Sequence, residues 1–153
     1  MNADKPKQFL EIEGRMVVEC AIDAFCQCPL VDEVSVVVAK DQQEHMKRIV
    51  ASNDWRKFSR IICGGSERYE SSLHAVEAYA SLADDAAMLI HDAARPFVSQ
   101  RILADVVRAL EHSSAVAVGI PATDTLWRLD SAGGRYIADI PQRALFYQAQ
   151  TPQ

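Results

Sequence analysis

Residues 91–95 read H-D-A-A-R, and the five residues before them, Ala86-Ala87-Met88-Leu89-Ile90, are all apolar. An acid at the end of a buried strand can hold Mg²⁺. Two alanines leave room for a phosphate-bearing ligand, and a guanidinium three residues on can fork onto a phosphate. The same residues can instead close an ion pair across a turn made rigid by Pro96. A second cluster, Gly64-Gly65-Ser66-Glu67-Arg68, follows the apolar Ile61-Ile62-Cys63 and leads into a helical period. Its glycines permit close backbone approach, the first-turn amides of a helix attract anions, and Ser71 adds a hydroxyl one turn later; the alternative is a tight turn capped by Ser66. A third cluster, Lys5-Pro6-Lys7, either presents an ammonium rigidly or carries two solvated charges. His91 has no second histidine at metal-ligand spacing and reads as a packed or hydrogen-bonded ring.

Positioning these groups requires strands that end where the clusters begin. Residues 34–39, 60–63, 86–90 and 115–120 are short, nearly continuous apolar runs, the pattern of strands covered on both faces. Helical periods lie between them. Met46, Ile49 and Val50 follow a box-like Asp41 and Glu44; Tyr69, Leu73, Val76, Ala80 and Ala83 form a second stripe; Ile102, Leu103, Val106, Val107 and Leu110 follow Ser99. This alternation predicts one α/β domain over residues 1–153, an open and mostly parallel sheet with helices on both faces, whose ligands bind beyond the carboxyl ends of the strands. After Pro121 the pattern changes. Residues 125–129 and 135–140 flank the turn signal Asp130-Ser131-Ala132-Gly133-Gly134, which predicts a β arm over 122–143. Its Leu126, Trp127, Tyr136 and Ile137 require cover, from a partner subunit or from the arm's own domain.

A formal charge of −5 and a pI near 5.3 argue against nucleic acid or an anionic membrane as partner. No stretch approaches the roughly 20 apolar residues of a membrane span, and residues 1–6 have no apolar core of a signal peptide, so the expected location is the cytoplasm. Cys20, Cys26, Cys28 and Cys63 form no C-x-x-C pair and read as thiols. Cys20 and Cys28 share a helical stripe with Met16, Val17, Ala21, Ala24 and Phe25, which predicts burial as small apolar side chains and no structural zinc. The patterns G-x-S-x-G, G-x-x-x-x-G-K-[ST] and H-E-x-x-H do not occur.

Five segments in order, P-K-Q-F-L (6–10), I-C-G-G-S-E-R (62–68), H-D-A-A-R-P-F (91–97), P-A-T-D-T (121–125) and Q-A-Q-T-P-Q (148–153), together resemble the 2-C-methyl-D-erythritol 4-phosphate cytidylyltransferase family over essentially the whole chain. The resemblance implies a Rossmann-like nucleotidyltransferase of the non-mevalonate isoprenoid pathway, usually a homodimer. Its substrates would be CTP and methylerythritol phosphate, with pyrophosphate released. It implies Lys7 as the residue that stabilises the α-phosphate, and Gly65, Ser66 and Ser71 around cytosine and ribose. Asp92 would serve Mg²⁺ and the phosphates, with Arg95 beside the substrate. Thr125, Arg143 and Thr151 would lie at the acceptor site that the arm helps to build across the dimer, Arg143 holding the substrate phosphate for attack. The family often has an acid where Ser66 stands, and Ile140-Pro141-Gln142 departs from its usual residues before that arginine. The family's first strand with its P-A-A-G-x-G-x-R turn and its C-terminal K-x-T segment have no counterpart in these residues. The expectation is an incomplete domain that is inactive or poorly folded as it stands. Two rivals share the pattern: a ribitol-5-phosphate cytidylyltransferase, and a truncated non-catalytic fragment that dimerises.

Overall fold

The computed structural model describes residues 6–83 and 85–153. Lys5 therefore lies outside the described residues. Pro6, with φ −55°, starts a 3-10 turn, Lys7–Phe9, whose closing Phe9 is 1% exposed. Anchoring by Phe9 fixes where Lys7 stands. β1 (Glu11–Ile12) pairs antiparallel with β2 (Arg15–Met16) through a turn in which Gly14 has φ +79°, a conformation that disfavours a Cβ. Phe9-Leu10-Glu11-Ile12, a strand-like run in the sequence, is thus split between the end of a helical turn and a short strand.

α1 (Val17–Cys26) begins with Glu19 accepting from the Met16 amide at 2.7 Å and buries Val17, Val18, Ala21, Ile22 and Phe25. β3 (Val34–Val38) runs parallel to β4 (Phe58–Cys63), with Val36 opposite Ile61 and Val38 opposite Cys63. Between them lies α2 (Gln43–Ala51). Side chains alternate along β3, so Val36 and Val38 face one way and Ser35 and Val37 the other. Val36 and Val38 bury against Phe9, Val18 and Ile22 on one side and Met46 and Ile49 of α2. On the opposite face stands α3 (Arg68–Ala78), whose C-terminal Tyr79 hydroxyl bonds Ser35 Oγ. Helices therefore cover both faces of the parallel pair, in an α/β arrangement.

Ser99 caps α4 (Gln100–Leu110), its Oγ accepting from the Ile102 amide at 3.3 Å. Leu103 is fully buried against Phe25 and Cys28, with Leu89 and Val98 at the edge of this second cluster. Cys28 is buried as expected and Cys20 only partly so; Cys63 is exposed, and all four cysteines are free. β5 (Val118–Pro121) pairs antiparallel with β8 (Tyr147–Gln150), and between them β6 (Arg128–Leu129) pairs with β7 (Ile137–Asp139) to form the expected hairpin. An Arg128–Asp139 ion pair of 3.1 Å closes it.

Three expectations need correction. Residues 86–90 adopt no regular strand: the backbone bonds joining them to a distant segment are those of Ile90 with Gln153, 2.7 and 2.9 Å. A single exchanging pair is too little for a ladder. The stripe Tyr69, Leu73 and Val76 of α3 is 49–69% exposed, and the helix stops before Ala80, where Arg60 donates to the Ala78 carbonyl at 2.9 Å. Asp41 and Glu44 form no capping box either, because Glu44 is drawn to Lys47 and Asp41 to Gln42.

Candidate active site

Cys63 ends β4, and the Gly64 amide still donates to the Val38 carbonyl of the neighbouring strand at 2.8 Å. The chain then turns into α3 so tightly that a Cβ on Gly65 would lie 2.3 Å from Glu70 Cβ. Glycine is required there by contact, since Gly65 has no positive φ. The Gly65 amide donates to Ser71 Oγ at 3.1 Å, and Ser71 in turn donates to the Glu67 carbonyl at 3.3 Å. One Glu70 oxygen accepts from the Ser66 amide (2.7 Å), the Ser66 hydroxyl (2.8 Å) and the Glu67 amide (3.2 Å). These bonds, the Ser66 hydroxyl first, hold the Glu70 carboxyl below its ordinary range. Gly65, Ser66 and Ser71 are thus brought together as expected. Their hydroxyls shape the turn, with Glu70 at its centre.

The second turn faces the first. The Arg95 amide donates to the Asp92 carbonyl at 2.9 Å, which closes residues 92–95 into a turn. Arg95 Nε donates to Asp92 Oδ2 at 3.1 Å, and Arg95 Nη1 donates to Gln150 Oε1. Thr151 Oγ1 accepts from the Asp92 amide at 3.3 Å, so Thr151, 9% exposed, supports the backbone of the acid. His91 packs on the Phe25 ring with centroids 5.0 Å apart, and its Nε2 lies 2.9 Å from the Arg95 carbonyl. That carbonyl accepts, so Nε2 carries the proton; the buried Nδ1 has no partner among the described residues and keeps its lone pair. Burial holds the His91 pKa below its ordinary value. His91 is the hydrogen-bonded ring the sequence indicated.

Lys7, Gln8, Arg68, Asp92, Ala93, Ala94 and Arg95 line one open depression of about 570 Å³. Across it Arg68 Nη2 meets Asp92 Oδ1 at 2.8 Å. The ion-pair reading and the ligand-site reading of H-D-A-A-R therefore coexist: Asp92 is paired, and the pair sits in a pocket. Formal charges of three cations against one carboxylate make the depression attractive to a polyanion. Among the described residues no group of three His, Cys, Asp or Glu side chains is disposed to hold a metal. Asp92 alone suits a hard cation that keeps waters and draws its other ligands from phosphates.

Of the expected site residues Lys7, Asp92 and Arg95 line this depression; Gly65, Ser66, Ser71, Thr125, Arg143 and Thr151 do not. Thr125 is exposed in the loop after β5, and Arg143, in the 3-10 turn Arg143–Leu145, donates to the Thr123 carbonyl at 2.9 Å. Sequence reasoning missed Arg68, Glu70 and Gln150 as site residues. Arg68 had a signal, its place at the first helical position after the glycine turn. Its partner Asp92 lies too far along the chain for spacing to reveal.

Known proteins share the sequence and fold of this chain. The family model described as IspD: 2-C-methyl-D-erythritol 4-phosphate cytidylyltransferase matches residues 1–153. A protein of that name from Thermobifida fusca is 40% identical over 155 residues, a match covering 100% of this chain and 62% of the relative. The bifunctional ribulose 5-phosphate reductase/CDP-ribitol pyrophosphorylase Bcs1 of Haemophilus influenzae is 35% identical, and the match covers 100% of this chain but 32% of that protein. The crystal structure of 4-diphosphocytidyl-2C-methyl-D-erythritol synthase from Anaerococcus prevotii superposes with a TM-score of 0.79 at 27% identity, covering 96% of this chain and 62% of its own. A second synthase structure of that name gives 0.79 at 30% identity, covering 97% and 70%. The chain spans less than two thirds of the length of these two curated relatives. Matched along its whole length by that model and alike in fold to the solved synthases, the chain belongs to the 2-C-methyl-D-erythritol 4-phosphate cytidylyltransferase family.

Proposed function

We propose that this chain serves cytidylyl transfer from CTP to 2-C-methyl-D-erythritol 4-phosphate, with release of pyrophosphate. The observation that carries the reading is the convergence of Lys7, Arg68 and Arg95 on one depression around Asp92, beyond the carboxyl end of β4. The acceptor phosphate is already an anion and needs no general base. What the reaction requires is neutralisation and alignment of two polyanions. Lys7, held by buried Phe9, offsets charge building on the α-phosphate oxygens. The turn of Gly65, Ser66 and Ser71, held closed by Glu70, is the surface offered to cytosine and ribose. Asp92 would hold Mg²⁺, which when bound would shield the phosphate oxygens, and Arg95 stays beside the acceptor. Thr151 keeps the Asp92 backbone in place and closes one side of the acceptor site.

Thr125 and Arg143 complete the acceptor site from the arm, Arg143 aligning the attacking phosphate. This assignment goes with a homodimer whose arms cross. The exposed Trp127, Tyr136, Ile137 and Ile140, 49–76% accessible, support such an interface. No described helix is long and apolar enough to cross a membrane, and the four free cysteines accord with the cytoplasm.

Calorimetric titration with CTP and Mg²⁺ tests the nucleotide site. Saturable binding that Asp92→Ala abolishes is expected, and a folded chain that binds no CTP would leave the non-catalytic fragment. Pyrophosphate release by a chain of the curated relative's full length then separates the acceptors. A preference for ribitol 5-phosphate, in line with the CDP-ribitol in the Haemophilus relative's name, overturns the choice of methylerythritol phosphate. Lys7→Ala is expected to lower the rate about 10²–10³-fold, the cost of removing one transition-state donor.

A further inference from the structure

We propose that Arg68 is a polyphosphate-binding residue of this site, and that Asp92 competes with the incoming polyphosphate for its guanidinium. The proposal rests on the reading of the depression as a triphosphate site. Both oxygens of Asp92 are engaged, Oδ1 by Arg68 at 2.8 Å and Oδ2 by Arg95 at 3.1 Å. The two arginines are held unequally. Arg95 lies on the same closed turn as Asp92 and also donates to Gln150, so its guanidinium is fixed from two sides. Arg68 enters from the opposite turn, its side chain is 72% exposed, and among the described residues its guanidinium pairs with Asp92 alone.

An exposed ion pair to one carboxylate is weak, whereas a polyphosphate offers several charges and oxygens spaced for a planar fork. Arg68 is therefore the partner that moves. Its transfer exchanges one charge-assisted contact for a stronger one and leaves no charge uncovered, because Lys7 and Arg95 line the same depression. It also frees Oδ1 of Asp92, which would then be open to a hard cation. The Arg68–Asp92 bridge then holds both groups in place until the polyphosphate draws Arg68 away.

Inorganic tripolyphosphate, titrated by calorimetry without divalent metal and at low ionic strength, tests this on the full chain. Arg68→Gln is expected to weaken binding roughly 5- to 30-fold, and Arg68→Lys to retain most of it. Asp92→Asn is expected to tighten binding several-fold by releasing Arg68. In a double-mutant cycle that gain should shrink to about twofold or less once Arg68 is Gln. Unchanged affinity in Arg68→Gln while Lys7→Gln weakens binding overturns the proposal and leaves the polyphosphate site standing. A gain from Asp92→Asn of equal size with and without Arg68 also overturns it, since that marks general repulsion. No saturable binding by the wild-type chain overturns the polyphosphate reading itself and the proposal with it.

Discussion

The glycine turn after β4 gives the sharpest stability prediction. In Gly65→Ala the new methyl would lie 2.3 Å from Glu70 Cβ, 2.7 Å from Glu70 Oε2 and 3.3 Å from the Glu70 carbonyl carbon. The first and third of these are on or next to the helix backbone and cannot rotate away. The start of α3 must therefore shift, and the carboxylate that accepts from Ser66 and Glu67 shifts with it. Overpacking of this kind costs about 1–3 kcal/mol. For a domain of this size that lowers the melting temperature by about 2–4 °C per kcal/mol. Gly64→Ala is the milder comparison, because its nearest contact, 2.9 Å, is the Ser71 hydroxyl, which can turn aside at the cost of its bonds to the Gly65 amide and the Glu67 carbonyl. Its cost should stay below about 1 kcal/mol, near that of an ordinary surface change. Urea unfolding of both variants, with CTP titration of each, reads the two effects. Gly65→Ala matching Gly64→Ala in stability with unaltered CTP affinity would refute the argument from contact.

Glu70 predicts a pH dependence. Its carboxyl is held low by Ser66 and the Glu67 amide, so the folded turn is stabilised above the unfolded pKa and loses that support as pH falls through the lower folded value; the Ser66 amide resonance, followed through an acid titration, should shift at the folded value, and in Glu70→Gln this step should vanish. Leu103→Ala removes a fully buried side chain packed on Phe25 and Cys28 and should cost about 2–5 kcal/mol in denaturant unfolding. Trp127→Lys, at a position 64% exposed, should leave the unfolding of the chain within about 0.5 kcal/mol of wild type while sedimentation shows loss of a dimer; a dimer that survives the change places the interface elsewhere.

Local rules accounted for much of the fold. Runs of valine and isoleucine marked β3 and β4 because a strand covered on both faces admits little else, and Ser99 marked the start of α4 because its hydroxyl has one amide within reach. The same rules failed where a tertiary neighbour decides. Residues 86–90 have a strand's composition, yet a ladder depends on what lies alongside. Glu44 met Lys47 before it could serve as a cap. At the site, Asp92 and Arg95 were visible because three residues of one turn connect them. Arg68 was hidden because its partner comes from another turn. The roles of Ser66 and Ser71 were open between cap and ligand contact, and Glu70, the group that organises them, had no motif of its own.

The last residues of the chain join two parts of the molecule that the sequence presents as separate. β8 pairs with β5 at the root of the hairpin, Val118 opposite Gln150 and Pro121 opposite Tyr147. The same Gln150 accepts from Arg95, Thr151 accepts from the Asp92 amide, and Gln153 exchanges two backbone bonds with Ile90. One short segment thus sets both where the arm leaves the body and where the acid and its fixed arginine stand. An arm that seats on a second subunit would orient β8, and with it the turn that carries Asp92. In that arrangement Arg95 is the fixed cation and Arg68 the one free to follow the ligand, so the site can be aligned by dimer contact on one side and remain open to exchange on the other.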